Sequence, residues 1–267
     1  MTVSVITGAA SGIGAGLARH AASLGIKLVL ADWDEAALQE LAGNLPTEVL
    51  AVPTDVRDET AVQSLAEAAY ARFGEIDLVF NNAGVLSSGL TWEIDSATWQ
   101  RSLDINIGGV MNVIRAFVPK LIAADRPARI INTSSLGGFL TSPFMSPYSA
   151  TKFAIVAISE ALAGELAGLR SKVQVSLLAP GPVKSAIMDE KAPPKTAEFM
   201  DMLRGMNDEN GMTPDELAKL VFEAIESKEY WIFPHPDMLN TGLRDRAEMI
   251  LERRQPTSFG LVDGNGE

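Results

Sequence analysis

Short apolar stretches alternate with longer amphipathic stretches along most of the chain. The short ones are rich in Val, Ile and Leu and nearly continuous in apolar residues, which is typical of strands covered on both faces. Seven are predicted as strands: Val3–Thr7, Lys27–Ala31, Val49–Pro53, Leu78–Asn81, Arg129–Thr133, Val173–Leu178 and Tyr230–Phe233. The longer stretches predict six helices: Ile13–Leu24, Glu35–Leu45, Asp58–Phe73, Ser96–Ala123, Pro147–Leu169 and Pro214–Ser227.

This alternation predicts one α/β domain over residues 1–255. When strands and helices alternate, the connections are right-handed crossovers and the strands run parallel. We therefore expect a single Rossmann-type, doubly wound parallel sheet of about seven strands with helices on both faces. Two segments depart from this rhythm: Ser185–Met212 is rich in Met, Lys and Pro, and the tail at 256–267 is expected to be flexible.

Composition narrows the classes of function. A net charge of −12, without any run of basic residues, argues against nucleic acid or an anionic membrane surface as a partner. The chain has no cysteine, so disulfides and thiolate chemistry are excluded, and with only His20 and His235 no metal site is expected. No uncharged apolar run reaches the roughly 18 residues of a membrane span. The first predicted strand starts at Val3 without a signal segment before it, which favours a cytoplasmic location.

A glycine-rich turn joins the first predicted strand to the first predicted helix. Thr7–Gly14 has the sequence TGAASGIG, with glycines spaced G-x-x-x-G-x-G rather than G-x-G-x-x-G. Such glycines let the backbone approach a pyrophosphate closely, and the helix N-terminus then offers free N–H groups to it. Glycines also make ordinary tight turns, but the position at the first strand–helix junction favours dinucleotide binding.

Asp32 ends the second predicted strand and indicates which dinucleotide is bound. A carboxylate there can accept hydrogen bonds from both adenosine ribose hydroxyls and repels a 2′-phosphate. Its alternative role is to cap the next helix, which Asp34 could do instead. Trp33 follows the acid, and positions 9–11 carry no Lys or Arg. NAD is therefore predicted rather than NADP.

Tyr148 and Lys152 are the candidate catalytic pair. The sequence SPYSATK at 146–152 predicts a helix start with Ser146 as N-cap and Pro147 in the first turn. The tyrosine and lysine then share one helix face, where the ammonium and the helix dipole would lower the phenol pKa from about 10. The same spacing is also common in ordinary helices. Ser135 lies at the end of the fifth predicted strand, where it could hold a substrate oxygen beside the phenol or be an ordinary loop residue.

Across residues 3–235 the chain resembles the short-chain dehydrogenase/reductase family. The motifs that carry the resemblance are Thr7–Gly14, Asp32, Asp55–Val56, the NNAG sequence at Asn81–Gly84, Asn106, Ser135, Tyr148 with Lys152, and Pro180–Gly181. The resemblance implies an oxidoreductase that transfers a hydride between NAD(H) and a secondary alcohol or ketone. In this family the serine polarises the substrate oxygen and the tyrosine exchanges its proton. The lysine binds the nicotinamide ribose and lowers the tyrosine pKa, and the asparagine holds a water in a proton relay.

The resemblance also implies a set of cofactor contacts. Asp55 and Val56 match positions at the adenine, Val183 faces the carboxamide, and Ser185 stands where threonine is common. The implied cofactor-binding residues are Gly8, Ser11, Gly12, Ile13, Gly14, Asp32, Trp33, Asp55, Val56, Asn82, Ala83, Gly84, Tyr148, Lys152, Pro180, Gly181, Val183 and Ser185.

Apolar residues on both sides of Tyr148 suggest the substrate class. They are Leu136–Leu140, Phe144, Met145, Ile187, Met188, Phe199, Met202 and Met206. They could form a Met-rich lid over a bulky, uncharged substrate, or they could pack a helical pair or a subunit interface. The segments Leu136–Phe139 and Tyr148–Ala150 look similar to bacterial enzymes that oxidise aryl secondary alcohols, such as the lignin-derived Cα-dehydrogenases.

The family resemblance further implies a homodimer or homotetramer. Its interfaces would use the helices near Ser96–Ala123 and Pro147–Leu169, where small residues permit close approach: Ala154, Ala157, Ala161, Gly164 and Ala167. The same small residues would also suit ordinary packing on the sheet.

Two other functions fit the same fold. An NADPH-dependent 3-oxoacyl or other carbonyl reductase is disfavoured because Asp32 has no neighbouring Arg. A catalytically inactive dinucleotide-sensing protein is disfavoured because all four expected catalytic residues are present.

Overall fold

The computed structural model describes residues 2–189 and 192–256 and contains one seven-stranded parallel sheet. Its strands are β1 (Val3–Thr7), β2 (Lys27–Asp32), β3 (Val49–Pro53), β4 (Leu78–Asn81), β5 (Ala128–Thr133), β6 (Val173–Leu178) and β7 (Trp231–Ile232). Its α-helices are α1 (Gly12–Ser23), α2 (Glu35–Gly43), α3 (Glu59–Phe73), α4 (Ser96–Leu103), α5 (Val110–Ala123), α6 (Ser146–Gly168), α7 (Ala197–Asn210), α8 (Pro214–Glu226) and α9 (Pro236–Leu251). The strand order is β3-β2-β1-β4-β5-β6-β7, so the predicted fold class is confirmed.

The strands are apolar throughout because each face of the sheet is covered by helices. Val5 and Ile6 of β1 are both fully buried but belong to different apolar layers, since successive strand residues point to opposite faces. Helices α3, α5 and α6 cover the Val5 face, and helices α1, α2 and α8 cover the Ile6 face. The sheet is therefore the middle layer of three.

The order of the strands creates the site. Strand β2 pairs with one side of β1, and β3 pairs with β2. Strand β4 then pairs with the other side of β1. The loops that leave the carboxyl ends of β1 and β4 run to opposite faces of the sheet, which opens a crevice between them. Thr7 and Asn81 end these two strands, directly before the glycine turn and the Asn82–Gly84 segment.

The predicted helix Ser96–Ala123 is interrupted. A π-helical turn at Asp104–Gly109 separates α4 from α5. By length and composition this whole segment is apolar enough to cross a membrane, but half of its most apolar window is buried. Residues such as Phe117 and Leu121 pack in the core against the sheet. Core packing in this fold therefore accounts for the apolar character of the segment.

The C-terminal third contains more helix than the pattern predicts. Ser185–Met212 holds α7 and two short 3-10 turns, and α9 follows the last strand. Strand β7 is only Trp231–Ile232, shorter than the predicted Tyr230–Phe233. Residues 257–267 of the predicted flexible tail lie outside the described residues.

Candidate functional site

A cavity of about 1100 Å³ opens at the carboxyl ends of β1, β2, β4, β5 and β6. Except for Gly14 and Asn106, every residue predicted for the site lines it. Different parts of the chain form the two ends of the cavity. The glycine turn and the ends of β2 and β3 form one end. Apolar residues after β5 and from α7 form the other. The structure thus brings together motifs that are distant in the chain.

The glycine turn lies close to its neighbours, which explains its composition. Gly8 and Gly12 have φ values of +63° and +49°, a region that glycine adopts without strain. A Cβ on Gly8 would lie 2.7 Å from Ala83 Cα, and one on Gly14 would lie 2.0 Å from the Gly8 carbonyl oxygen. Ser11 precedes α1 and makes no side-chain cap, so the turn leaves N–H groups of the first helical turn for a ligand. Gly14 therefore packs the helix against the turn rather than lining the cavity.

The end of β4 braces this turn. The Asn82 amide donates to the carbonyls of Thr7 (3.0 Å) and Gly8 (3.3 Å). The Thr7 hydroxyl accepts hydrogen bonds from the backbone N–H groups of Asn82 (3.0 Å) and Ala83 (3.2 Å). The Asn82–Gly84 segment consequently fixes the turn through hydrogen bonds as well as lining the cavity.

Asp32 faces the cavity from the end of β2. Its carboxylate is buried and accepts hydrogen bonds from Ala10 N (2.9 Å) and Asp34 N (3.1 Å). Asp34 caps α2 by accepting from Ala37 N, so the capping role considered for Asp32 belongs to Asp34. Trp33 is 80% exposed beside the same end of the cavity.

Arg57 also lines the adenosine end, although the sequence analysis placed no cation there. Its guanidinium binds the Asp55 carboxylate at 2.9 Å and 3.0 Å from Nε, and this hydrogen bonding lowers the pKa of Asp55. Arg57 and Asp32 line the same cavity because the paired strands β2 and β3 end together. The place of Arg57 two residues after Asp55 was the signal available in the sequence. Val56, between them, packs on Gly109, the last residue of the π-helical turn before α5.

The Ser135 hydroxyl interacts with the Tyr148 phenol, and this interaction lowers the phenol pKa. The Ser135 hydroxyl also accepts from Gly137 N at 3.1 Å, whereas Ser134 turns away and donates to the Lys152 carbonyl at 2.9 Å. A Cβ on Gly137 would lie 3.2 Å from Tyr148 Cε1, so the glycine leaves room for the ring. Ser135 rather than Ser134 is therefore the serine that interacts with the phenol, and its catalytic role stays a prediction.

The predicted helix cap before Tyr148 is wrong in detail. Helix α6 begins at Ser146, and Met145 is the N-cap residue. The Ser146 hydroxyl instead accepts a hydrogen bond from Thr91 at 3.0 Å. Met145 starts the helix through its backbone, because its carbonyl accepts from Ser149 N at 2.8 Å.

Lys152 is buried beneath the phenol ring. Its ammonium donates to the Thr133 carbonyl at 3.0 Å and lies 5.7 Å from the centroid of the Tyr148 ring. Burial lowers the pKa of Lys152 to about 8. Burial also raises the pKa of Tyr148, and the hydrogen bond with Ser135 offsets this only in part. The pKa of Tyr148 in the ligand-free protein is therefore shifted upward, and the lowering of the phenol pKa by Lys152 stays a prediction.

Asn106 lies behind the cavity wall rather than in it. Its side-chain oxygen accepts from Val85 N at 2.8 Å, and its amide donates to the Val85 carbonyl and the Thr151 hydroxyl, each at 2.9 Å. Its oxygen and the Lys152 ammonium would be 3.2 Å and 3.4 Å from a Cβ on Gly84. Both amide hydrogens of the side chain are thus used within the protein, and the backbone of Asn106 lies in the π-helical turn.

The loop after β6 is held at several backbone groups. Leu136 N donates to the Pro180 carbonyl at 2.9 Å, and Met212 N donates to the Pro182 carbonyl at 3.1 Å. Lys184 N donates to the Met212 carbonyl at 3.0 Å, which makes a parallel bridge between Val183 and Met212. In such a bridge the N–H and C=O of Val183 point away from Met212. Ser185 lies against the glycine turn, since a Cβ on Gly12 would be 3.0 Å from the Ser185 Cβ.

The other end of the cavity is apolar. It is lined by Leu86, Leu136, Leu140, Met145, Ile187, Met188, Leu203, Met206 and Met238. Four apolar residues of the predicted lid do not line the cavity: Phe139, Phe144, Phe199 and Met202. Phe144 and Phe199 pack against each other with ring centroids 5.1 Å apart. Phe139 packs on Trp231 instead. Sequence reasoning missed Leu203 and Met238, because their helices were not predicted.

No cluster of three potential metal ligands occurs among residues 2–189 and 192–256. The polar groups in the cavity lining are hydroxyls, backbone and side-chain amides, the Asp32 and Asp55 carboxylates, the guanidinium groups of Arg57 and Arg101, and the buried Lys152 ammonium.

Comparison with known proteins gives matches over nearly the whole chain. The model of the short chain dehydrogenase family matches residues 2–196. The chain is 32% identical over 279 residues to the CLA biosynthesis dehydrogenase/reductase of Lactiplantibacillus plantarum (98% of this chain, 97% of the relative). It is 34% identical over 252 residues to the 1-deoxy-11-beta-hydroxypentalenate dehydrogenase of Streptomyces exfoliatus (92% and 87%). The crystal structure of a short chain dehydrogenase/reductase from Burkholderia phymatum in complex with NAD is similar with a TM-score of 0.90, 36% identity and 98% coverage of both chains.

Proposed function

Because the chain belongs to the short-chain dehydrogenase family of oxidoreductases, we propose that it transfers a hydride between NAD(H) and a secondary alcohol or ketone. One observation carries this proposal. Ser135, Tyr148 and Lys152 meet at the middle of the cavity, between the glycine turn on one side and the apolar residues on the other. A dinucleotide held by the turn would end beside the phenol.

The residues at the dinucleotide end fit NAD. The space beside Gly8, which a Cβ would fill, suits a pyrophosphate. The N-terminus of α1, which has no side-chain cap, suits it as well. The Asp32 carboxylate suits the two ribose hydroxyls, and the outward backbone groups of Val183 suit a carboxamide. NAD, when bound, supplies the hydride acceptor.

The chain's own residues position the substrate and move a proton. Ser135 would hold the substrate oxygen beside Tyr148, which as the phenolate would accept the hydroxyl proton in oxidation and as the phenol would donate a proton in reduction. The Lys152 ammonium lies below the ring and stabilises negative charge that develops on the phenol oxygen. In this proposal Asn106 fixes the backbone of Val85, and thereby the wall that carries Gly84 beside Lys152.

NAD rather than NADP is supported by charge at the β2 end. Asp32 would meet a 2′-phosphate with a buried negative charge, and the nearby Arg57 is bound to Asp55. Initial rates with NADH and NADPH test this choice. Higher efficiency with NADPH would favour the carbonyl reductase alternative.

The apolar end supports a bulky, uncharged substrate. Methionines 188, 206 and 238 are unbranched and can repack around ligands of different shape. A relative is named as dehydrogenase of a hydroxypentalenate, which agrees with an alcohol substrate. An NAD-coupled absorbance screen of cyclic, aliphatic, steroid-like and aryl secondary alcohols, with small charged hydroxy acids as the contrast, tests this class.

Replacement of the phenol hydroxyl tests the chemistry. Tyr148→Phe is expected to reduce turnover by about 10²–10⁴-fold, because general acid–base catalysis contributes that much. NAD affinity, measured by calorimetry, should stay within about threefold, since the substitution removes at most one hydrogen bond to the dinucleotide. Tyr70→Phe is the matched control, because the Tyr70 hydroxyl is buried without a partner among the described residues and lies far from the cavity lining. Comparable turnover in both variants would refute the proposal.

Assembly into a homodimer or homotetramer is part of the proposed function. Ala157, Ala161 and Gly164 are exposed on α6 and have room for a close neighbour. Sedimentation of the purified chain, beside Ala161→Arg, tests whether this face forms the interface.

A further inference from the structure

His235 contacts the loop that follows β6, although it belongs to no motif in the sequence. It lies between β7 and α9, beyond residues 2–196 that match the family model. It is half-buried, and neither the proposed proton transfer nor the proposed cofactor contacts use it. The only other histidine, His20, packs on Phe222 between α1 and α8.

The contact between His235 and Gly181 is specific. Gly181 N donates a hydrogen bond to His235 Nδ1 at 3.1 Å. A Cβ on Gly181 would lie 2.9 Å from His235 Cγ and 3.0 Å from Leu136 Cδ1, so the imidazole ring fills the space that a side chain would need. An Nδ1 that accepts a hydrogen bond carries no proton, and the ring is therefore neutral. Burial, which lowers the pKa of His235 against a smaller opposite effect of the Pro182 backbone, supports that form.

This hydrogen bond completes the support of the loop. Residues 180 and 182 are prolines and have no N–H to donate. The Pro180 carbonyl is bound by Leu136 N and the Pro182 carbonyl by Met212 N, so Gly181 N is the remaining donor between them. His235, which directly precedes α9, accepts this hydrogen bond. The loop is thus held by hydrogen bonds from Leu136 after β5, from Met212 before α8, and to His235.

We propose that His235 is a positioning residue that holds the Pro180–Val183 loop in the conformation that receives the nicotinamide end of the dinucleotide. The proposal rests on the proposed function, because it assumes that this loop binds the nicotinamide carboxamide. His235 would not touch the cofactor. It would act through Gly181 on the backbone of Val183, whose N–H and C=O point away from Met212.

Binding measurements with two ligands separate this role from general stability. Calorimetry would compare NAD with ADP-ribose, which lacks the nicotinamide but keeps the portion at the glycine turn and Asp32. His235→Phe keeps a ring but has no acceptor, and His235→Asn keeps an acceptor at the position of Nδ1. His20→Asn is the control. If His235→Phe does not fold, as judged by its thermal transition, His235→Ala takes its place.

We expect His235→Phe to weaken NAD binding by about three- to tenfold, the worth of one hydrogen bond, while ADP-ribose affinity changes by less than about twofold. His235→Asn should restore most of the NAD affinity. Equal weakening of both ligands, or Asn as weak as Phe, would overturn the positioning role. If the unchanged chain bound NAD no more tightly than ADP-ribose, the proposed nicotinamide loop itself would be wrong, and His235 would have no such role.

Discussion

The two ends of the cavity are built in different ways. At the dinucleotide end the ligand-facing groups are mainly backbone, held by glycines without room for a Cβ and by the side chains of Thr7, Asn82 and Asp32. At the substrate end they are flexible apolar side chains, several of them methionines, on the segments after β6. The first end is fixed by the sheet, and the second depends on helices that pack around it.

The two ends of the cavity therefore differ in how many residue types they tolerate at each position. A backbone surface tolerates few residue types, because each contact depends on the absence of a side chain. A side-chain surface tolerates many, because hydrophobic residues of similar volume can replace one another. Substitutions at the first end should therefore remove binding altogether, and those at the second should change which substrate is preferred.

The largest effect is expected from Gly14→Ala. The added Cβ would lie 2.0 Å from the Gly8 carbonyl oxygen, so α1 must move away from the glycine turn. We expect NAD affinity to fall by about 100-fold or more, with a lower thermal transition. Gly43→Ala in α2 is the control, because a Cβ there has nothing within 4 Å and alanine favours a helix. Retention of NAD binding in Gly14→Ala would show that the turn is not a fixed surface.

A smaller effect is expected from Asp32→Asn, which tests charge rather than space. We expect NAD affinity to fall by about 10- to 100-fold, as the loss of charge-assisted hydrogen bonds to the ribose predicts, while NADP binding is unchanged or improved. Asp34→Asn removes the same charge from the next helix cap and should leave the NAD/NADP ratio unchanged, since Asn is an equally good cap. An unaltered ratio in Asp32→Asn would assign the selectivity to another group, of which Arg57 is the first candidate.

The parts of the molecule that could be predicted from sequence are those with local causes. Buried parallel strands must be apolar throughout, and all seven strands were found within two residues at each end. The glycine turn and the Tyr148–Lys152 pair depend on short spacings, and both lie at the cavity. The assignment of individual residue roles in catalysis stays a prediction.

The parts that could not be predicted depend on contacts between distant segments. Helix α7 has a mixed polar surface and follows several prolines, and it is held by Phe199 against Phe144 from another segment. His235 meets Gly181 only because β7 adds to the edge of β6. The raised pKa of Tyr148 depends on its burial, which no spacing in the sequence reveals.

Lys152 lies between the two ends of the cavity, and its burial is expected to lower the free energy of unfolding. Burial depresses its pKa to about 8 from 10.5, so the folded chain binds fewer protons than the unfolded chain between these values. Stability should therefore rise with pH from about 8 toward 10, and below about 8 the full cost of the buried charge remains. We expect Lys152→Met to stabilise the ligand-free protein by about 1–3 kcal/mol at neutral pH, to flatten this pH dependence, and to lose turnover.

Thermal melts at several pH values measure this effect. Lys172→Met is the control, because Lys172 is exposed and its ion pair with Asp125 contributes little. A less stable Lys152→Met would mean that the hydrogen bond from the ammonium to Thr133 outweighs its desolvation.

The smallest effect is expected at the substrate end. Met206 on α7 lines the cavity and is half exposed, so Met206→Gln places a polar amide where an apolar substrate would pack. We expect KM for an apolar alcohol to rise about three- to tenfold, since part of a side chain's burial energy is lost, with NAD affinity unchanged. Met202→Gln on the same helix is the matched control, because Met202 is similarly exposed but does not line the cavity. Equal KM values for the two variants would mean that α7 does not contact the substrate. A parallel fall in NAD affinity in Met206→Gln would mean that the two ends of the cavity are not independent.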